Sequence, residues 1–99
     1  MNRFKAMFVK QIRVIVTGRV QGVWYRGWTV DKATELGIKG WVRNLESGQV
    51  EALFHGEGVA VEAMVMSCWQ GPDMARVETV ETFENTSDLE DTTKFTQIR

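Results

Sequence analysis

The chain predicts an α+β sandwich: an antiparallel sheet with two helices packed on one face, plus a short C-terminal strand. Three observations predict it. Apolar residues alternate in strand fashion up to Thr17 and take helical spacing from Tyr25, across a glycine-punctuated connection. Two further β-type runs follow, separated only by Glu46-Ser47-Gly48. A second helical pattern and another strand-like run then repeat the first change of period, so the order is β-α-β-β-α-β.

Taken in order, Gln11 to Thr17 sets Ile12, Val14 and Val16 against Gln11, Arg13, Ile15 and Thr17, a strand with one buried face. From Arg26 to Leu36 a helix is predicted, with Tyr25, Thr29, Ala33 and Leu36 on its apolar side and Gly37 ending it. Ile38 to Leu45 and Gln49 to His55 form a hairpin, with Gly48 at the position that needs positive φ. Gly56-Glu57-Gly58 is expected to break the chain. Val59 to Trp69 places Val61, Met64, Val65 and Cys68 on one core-facing stripe, and Gly71-Pro72 stops that helix. Met74 to Phe83 is the next strand, in which Val77 and Val80 are out of phase, the mark of a bulge. Glu84 to Thr93 reads as a solvated acidic loop, and Phe95 to Arg99 as a short last strand. This order is the ferredoxin-like arrangement.

Ninety-nine residues suit one domain able to bury roughly 60–70% of its unfolded surface. A 43% hydrophobic and 25% charged composition is that of a globular protein. The first ten residues, 1–10, hold Arg3, Lys5 and Lys10 without an apolar stretch, and are expected to be a flexible extension to a domain spanning 11–99. No apolar run approaches the about 20 residues of a membrane span, and a net charge of −1 offers no general attraction for nucleic acid or anionic lipid. Any anion must be held by a local site. A single cysteine, Cys68, excludes an internal disulfide and points to a reducing, cytoplasmic setting. A monomer is the expectation for so small a domain.

The local site is the connection itself. Gly18 and Gly22 let the backbone of Gly18, Arg19, Val20, Gln21, Gly22, Val23, Trp24 and Tyr25 turn several N–H groups toward one point. The positive end of the following helix and the guanidinium of Arg26 add to them, and together they make an anion site. A plain strand-to-helix turn uses the same glycines. Other chemistries are poorly supplied: His55 and Cys68 cannot build a Cys/His zinc site, and Cys68 lies on a buried stripe, away from any role as nucleophile. Gly22 is followed by Val23-Trp24, which rules out a P-loop. Lys39-Gly40-Trp41 echoes the start of an RNA-binding string without its later aromatics. Trp24 and Trp28 read as apolar cover for the start of the helix, and His55 as a surface or edge residue. Asn44 either caps the hairpin turn or presents an amide to the site.

Gly18-Arg-Val-Gln-Gly-Val-Trp-Tyr-Arg26 resembles the acylphosphatase signature G-[RK]-V-Q-G-V-x-[FY]-R, and Gly40-Trp-Val-Arg-Asn-Leu-Glu-Ser-Gly-Gln-Val50 resembles that family's second signature, G-[WY]-V-x-N-x-x-D-G-x-V. The resemblance runs from about Ile12 to Arg99. It implies the same fold and hydrolysis of acyl phosphates, without cofactor or metal, releasing inorganic phosphate. It implies further that Arg26 holds the phosphoryl group, that Asn44 positions the attacking water, and that the loop N–H groups complete the cradle. An acyl phosphate carries a good leaving group, so positioning and charge stabilisation suffice, and a base is not needed. Arg19 and Arg43 could widen the positive potential. The chain departs from the family pattern at Ser47, at the bulky pair Trp24-Tyr25, and in the Phe95-Thr-Gln-Ile98 spacing, one residue longer than F-x-I. A non-catalytic anion- or RNA-binding module of the same fold is the alternative. The acylphosphatase-like domain of hydrogenase-maturation carbamoyltransferases also shares these motifs, although 99 residues leave no room for the rest of such an enzyme.

Overall fold

The computed structural model describes residues 9–84 and 93–99. Strand β1 (Val9–Arg19) leads into helix α1 (Tyr25–Glu35), and β2 (Lys39–Asn44) forms a hairpin with β3 (Val50–Glu57). Helix α2 (Gly58–Cys68), β4 (Arg76–Glu84) and the short β5 (Phe95–Gln97) complete the chain. The sheet order is β4-β1-β3-β2-β5. Both helix crossovers therefore skip a strand: β3 lies between β1 and β2, and β1 lies between β3 and β4.

Burial follows the predicted alternation. Val14 and Val16 of β1 stand opposite Ala52 and Val50 of β3, and all four are buried beneath the helices with Phe54, Val42 and Val80. Helix α1 contributes Tyr25, Thr29 and Ala33, and α2 contributes Val61, Met64 and Cys68. The opposite face of the sheet is closed by charge. Glu51, 7% exposed, accepts from Arg13 at 3.0 Å and from Arg43 at 2.7 Å. The two guanidiniums lie over the rings of Phe83 and Trp41. Arg43 is thus paired with Glu51 and does not supply the free positive charge expected of it near the 18–25 loop.

Several boundaries differ from expectation. β1 begins at Val9, because Val9 and Lys10 pair with Glu57 and Gly56, so two residues assigned to the extension belong to the sheet. The same pairing carries β3 through Gly56 and Glu57, where a break was expected, and the chain leaves the sheet only at Gly58. β1 also runs on through Gly18 and Arg19. His55 lies on a central strand, half-buried and 2.9 Å from Gln11, and is not an edge residue. The expected bulge is present: Thr17 pairs with Thr79 and Gly18 with Val77, which leaves Glu78 as the extra residue and lets Val77 and Val80 both turn toward the core. β5 makes the sheet mixed, not purely antiparallel, by running parallel to β2. Its Phe95 stacks on Phe54 with centroids 5.6 Å apart. Of the expected acidic loop, 85–92 lies outside the described residues, as does 1–8 of the extension.

Tyr25 ties the helices together. Its hydroxyl, at the start of α1, donates to the Cys68 carbonyl at the end of α2 over 2.7 Å. Burial raises the Tyr25 hydroxyl far above its ordinary range and pushes the Cys68 thiol up to about 12. Both groups stay protonated in the folded chain after the unfolded chain has lost the proton. Their stabilisation is therefore complete below the unfolded values and declines as pH rises through them. Between pH 9 and 11 each should remove up to about 1.4 kcal/mol of stability per pH unit. A urea-midpoint series should show this slope, and Cys68→Ala should make it shallower.

Candidate active site

The connection between β1 and α1 reduces to Val20–Trp24, and its conformation is set at both ends. Gly18 has φ 133°, and a Cβ there would lie 2.2 Å from the Arg76 carbonyl oxygen. Gly18 therefore serves the close approach of β4, and it does not line the anion site. At the other end Trp24 caps α1 with φ 68° and ψ 22°, a left-handed conformation that a bulky side chain rarely takes. That residue turns the chain abruptly into the helix.

The start of α1 is left polar and unspent. No side chain caps it and no acidic residue sits in its first turn. Trp28 N–H bonds the Trp24 carbonyl at 3.0 Å, so the N–H groups of Tyr25, Arg26 and Gly27 ahead of it have no acceptor within the helix. The positive end of the helix is thus neither capped nor neutralised. Arg26, half-buried at this end, forms no salt bridge among the described residues.

Gln21 brings the second motif to the first. Its side-chain amide donates to the Leu45 carbonyl at 2.8 Å and to the Gln49 carbonyl at 2.9 Å, pinning the loop to the β2–β3 hairpin. Gln49 in turn donates to Thr17 Oγ1 at 2.9 Å. Ser47 supports the turn by accepting from Gln49 N–H at 3.3 Å, the office that an aspartate would otherwise fill. Asn44, directly before Leu45, is held beside the loop as a result.

A cavity of about 130 Å³ lies between these pieces, lined by Val20, Gly22, Trp24, Tyr25, Arg26, Gly27, Asn44 and Gln97. Asn44 Oδ1 is buried there without a hydrogen-bond partner, and no other such side-chain atom occurs among the described residues. An unpaired buried carbonyl of this kind costs roughly 1–3 kcal/mol unless a water or ligand donates to it. Asn44 is thus not a turn cap. Its oxygen is an acceptor left open on the cavity wall.

Of the sequence-predicted residues, Val20, Gly22, Trp24, Tyr25, Arg26 and Asn44 meet in this cavity. Gly18, Arg19, Gln21 and Val23 do not line it: Arg19 is exposed at the end of β1, Gln21 acts as the clamp, and Val23 packs against the core. Trp28 covers Tyr25, with ring centroids 5.4 Å apart, whereas Trp24 is 62% exposed and is no part of that cover. Gln97 and Gly27 were missed. Gln97 arrives only through the parallel pairing of β5, which sets it opposite Val42. Short-range spacing carries no signal for that contact.

The acylphosphatase family model matches residues 12–97 of this chain. The chain belongs to the acylphosphatase family. The acylphosphatase of Rhodospirillum rubrum is 59% identical over 70 residues, which cover 71% of this chain and 77% of the relative. The crystal structure of the acylphosphatase from Bacillus subtilis superposes with a TM-score of 0.85 at 33% identity, covering 93% of this chain and 100% of that one. The structure of an acylphosphatase from Coxiella burnetii also gives a TM-score of 0.85, at 36% identity, covering 95% of this chain and 97% of that one.

The clamp can be tested separately from the cradle. Gln21→Ala removes the side-chain donor shared by the Leu45 and Gln49 carbonyls, which keep only the backbone N–H groups of Gly48 and Leu45, and lets the loop drift from Asn44. Inorganic phosphate should bind several-fold more weakly by calorimetry, while the thermal midpoint falls by only a few degrees.

Proposed function

We propose that this chain hydrolyses acyl phosphates to a carboxylate and inorganic phosphate in the cavity between the 20–24 loop and β2. The observation that carries this reading is the unpaired, buried Asn44 Oδ1 facing the same cavity as Arg26 and the start of α1. A donor-rich wall suits the phosphoryl oxygens, and a lone amide acceptor suits a water. The two halves of the reaction thus have separate places.

In this reading the phosphoryl group accepts hydrogen bonds from loop and first-turn N–H groups and from the planar fork of Arg26. Asn44 Oδ1 accepts from a water and holds it in line with the scissile bond. The water oxygen bonds to phosphorus as the bond from phosphorus to the acyl oxygen breaks, and the carboxylate leaves with the electron pair. The proton of the water passes to a phosphoryl oxygen. Charge spread over the equatorial oxygens meets fixed dipoles and a guanidinium at each stage. Among the described residues the cavity wall carries no carboxylate, imidazole or thiol to act as a general base or to ligate a metal. The reaction is accordingly expected to persist in chelator, with the charge of Arg26 standing where other phosphoryl-transfer sites use a cation.

Turnover of benzoyl and acetyl phosphate in the presence of EDTA tests the reading, and a purified protein inert toward both would overturn it. Arg26→Ala should reduce kcat/KM by at least ~10²–10³, the loss seen when one oxyanion donor is removed. Arg26→Lys should recover only part, since an ammonium cannot reproduce a bidentate fork. Asn44→Ala should lower kcat by about 10² while inorganic phosphate binds within a factor of about three of the wild type. Loss of phosphate binding with turnover intact would refute the water-holding role.

A further inference from the structure

On the far side of Trp24 from the phosphoryl cavity lies a second, larger cleft of about 530 Å³. Its apolar wall is made by Val23, Trp24 and Trp28 on one side and by Pro72 and Met74 of the α2–β4 connection on the other. Trp24 alone lines both hollows, and its indole lies over Gly27, a wall residue of the small one. Asn44 lines only the small cavity, so the cleft is a separate hollow from the one that holds the amide.

Trp24 is unusual in three respects at once. It holds a left-handed backbone, it is 62% exposed, and its indole lies where a side chain at position 27 would begin: a Cβ on Gly27 would sit 2.1 Å from Trp24 Nε1. The core gains little from a residue placed so far outside it. Strain retained in a bulky exposed residue at the lip of a site is the pattern of a ligand contact. Met74, 63% exposed, faces the same cleft.

We infer that this cleft is the acyl subsite of the same active centre and that it takes neutral aromatic acyl groups, laid against the Trp24 indole and covered by Met74. The inference rests on the phosphoryl reading above. Its volume lies within the roughly 300–1,000 Å³ typical of small-molecule sites. The charged groups on its rim offset one another: Lys32 is 3.7 Å from Glu35, and Asp73 adds a negative charge, so an anionic acyl group finds no unopposed cation. A flat apolar ring gains area against an indole that a methyl group cannot. Binding energy from that non-reacting ring is then available to hold the phosphoryl group in place.

Two phosphonates that replace the bridging oxygen by methylene test this without turnover. Phenacylphosphonate stands for benzoyl phosphate, and acetonylphosphonate stands for acetyl phosphate. By calorimetry the wild type should bind the phenacyl compound roughly tenfold more tightly. Met74→Asp, which sets a charge in the cleft, and Trp24→Gly, which keeps the left-handed backbone but removes the indole, should each shrink the ratio to about threefold or less. Equal affinities in the wild type, or a ratio untouched by both substitutions, would overturn the subsite. Hydrolysis is scored separately: a phenacyl preference in a protein that turns over neither acyl phosphate refutes the reaction and leaves the subsite standing.

Discussion

The start of α1 has N–H groups that the protein leaves unbonded, and the rest of the structure keeps them so. A helix end is usually closed by a serine, threonine or aspartate side chain, and here that place is held by Trp24, which has no oxygen to offer. Around it the protein fixes the backbone by other means. Gly18 allows β4 to approach, Gln21 bolts the loop to the hairpin, and the Tyr25 hydroxyl anchors the first helical residue to the end of α2. Each tie acts on the connection from outside and leaves the first-turn N–H groups uncapped beside the cavity.

Among the described residues, local rules of stability are broken at Asn44 and at Trp24, and both border this cavity. Asn44 buries a carbonyl oxygen without a partner, and Trp24 takes a left-handed conformation that glycine or asparagine would adopt more easily. Elsewhere the chain is orderly: buried side chains alternate along the strands, Glu51 is matched by two arginines, and Cys68 packs as a small hydrophobe. Departures from consistency concentrated at one hollow are what a functional site produces. The chemistry available in the hollow is consistent with the reaction that membership of the acylphosphatase family implies.

The surrounding elements divide the site by function. In the proposed reaction the loop and α1 supply donors for a dianion and β2 supplies the amide for a water, while an apolar cleft opens between α1 and the α2–β4 connection. These parts lie far apart in the chain, with Asn44 18 residues beyond Arg26 and Met74 further still. The split crossovers bring them to one end of the sheet. A small domain thereby builds a phosphoryl cavity whose described wall holds no carboxylate, where fixed dipoles need little reorganisation when charge develops.

Much of this was legible in the chain alone. Alternation in β1, the stripe of Tyr25, Thr29 and Ala33, and the out-of-phase Val77 and Val80 are short-range patterns imposed by strand and helix geometry, so they predicted the elements and even the bulge. Resemblance to two family signatures, and not any backbone period, singled out Arg26 and Asn44, and the fold brings both to one cavity. Tertiary structure alone decided which of the loop residues face the cavity, that Gly18 serves β4 and Gln21 the hairpin, that Arg43 is consumed by Glu51, and that Gln97 reaches the site from a parallel strand. Those outcomes depend on which distant groups arrive beside a residue. Spacing along a chain encodes the period of its own backbone and says nothing of the partner that folding brings across from another strand.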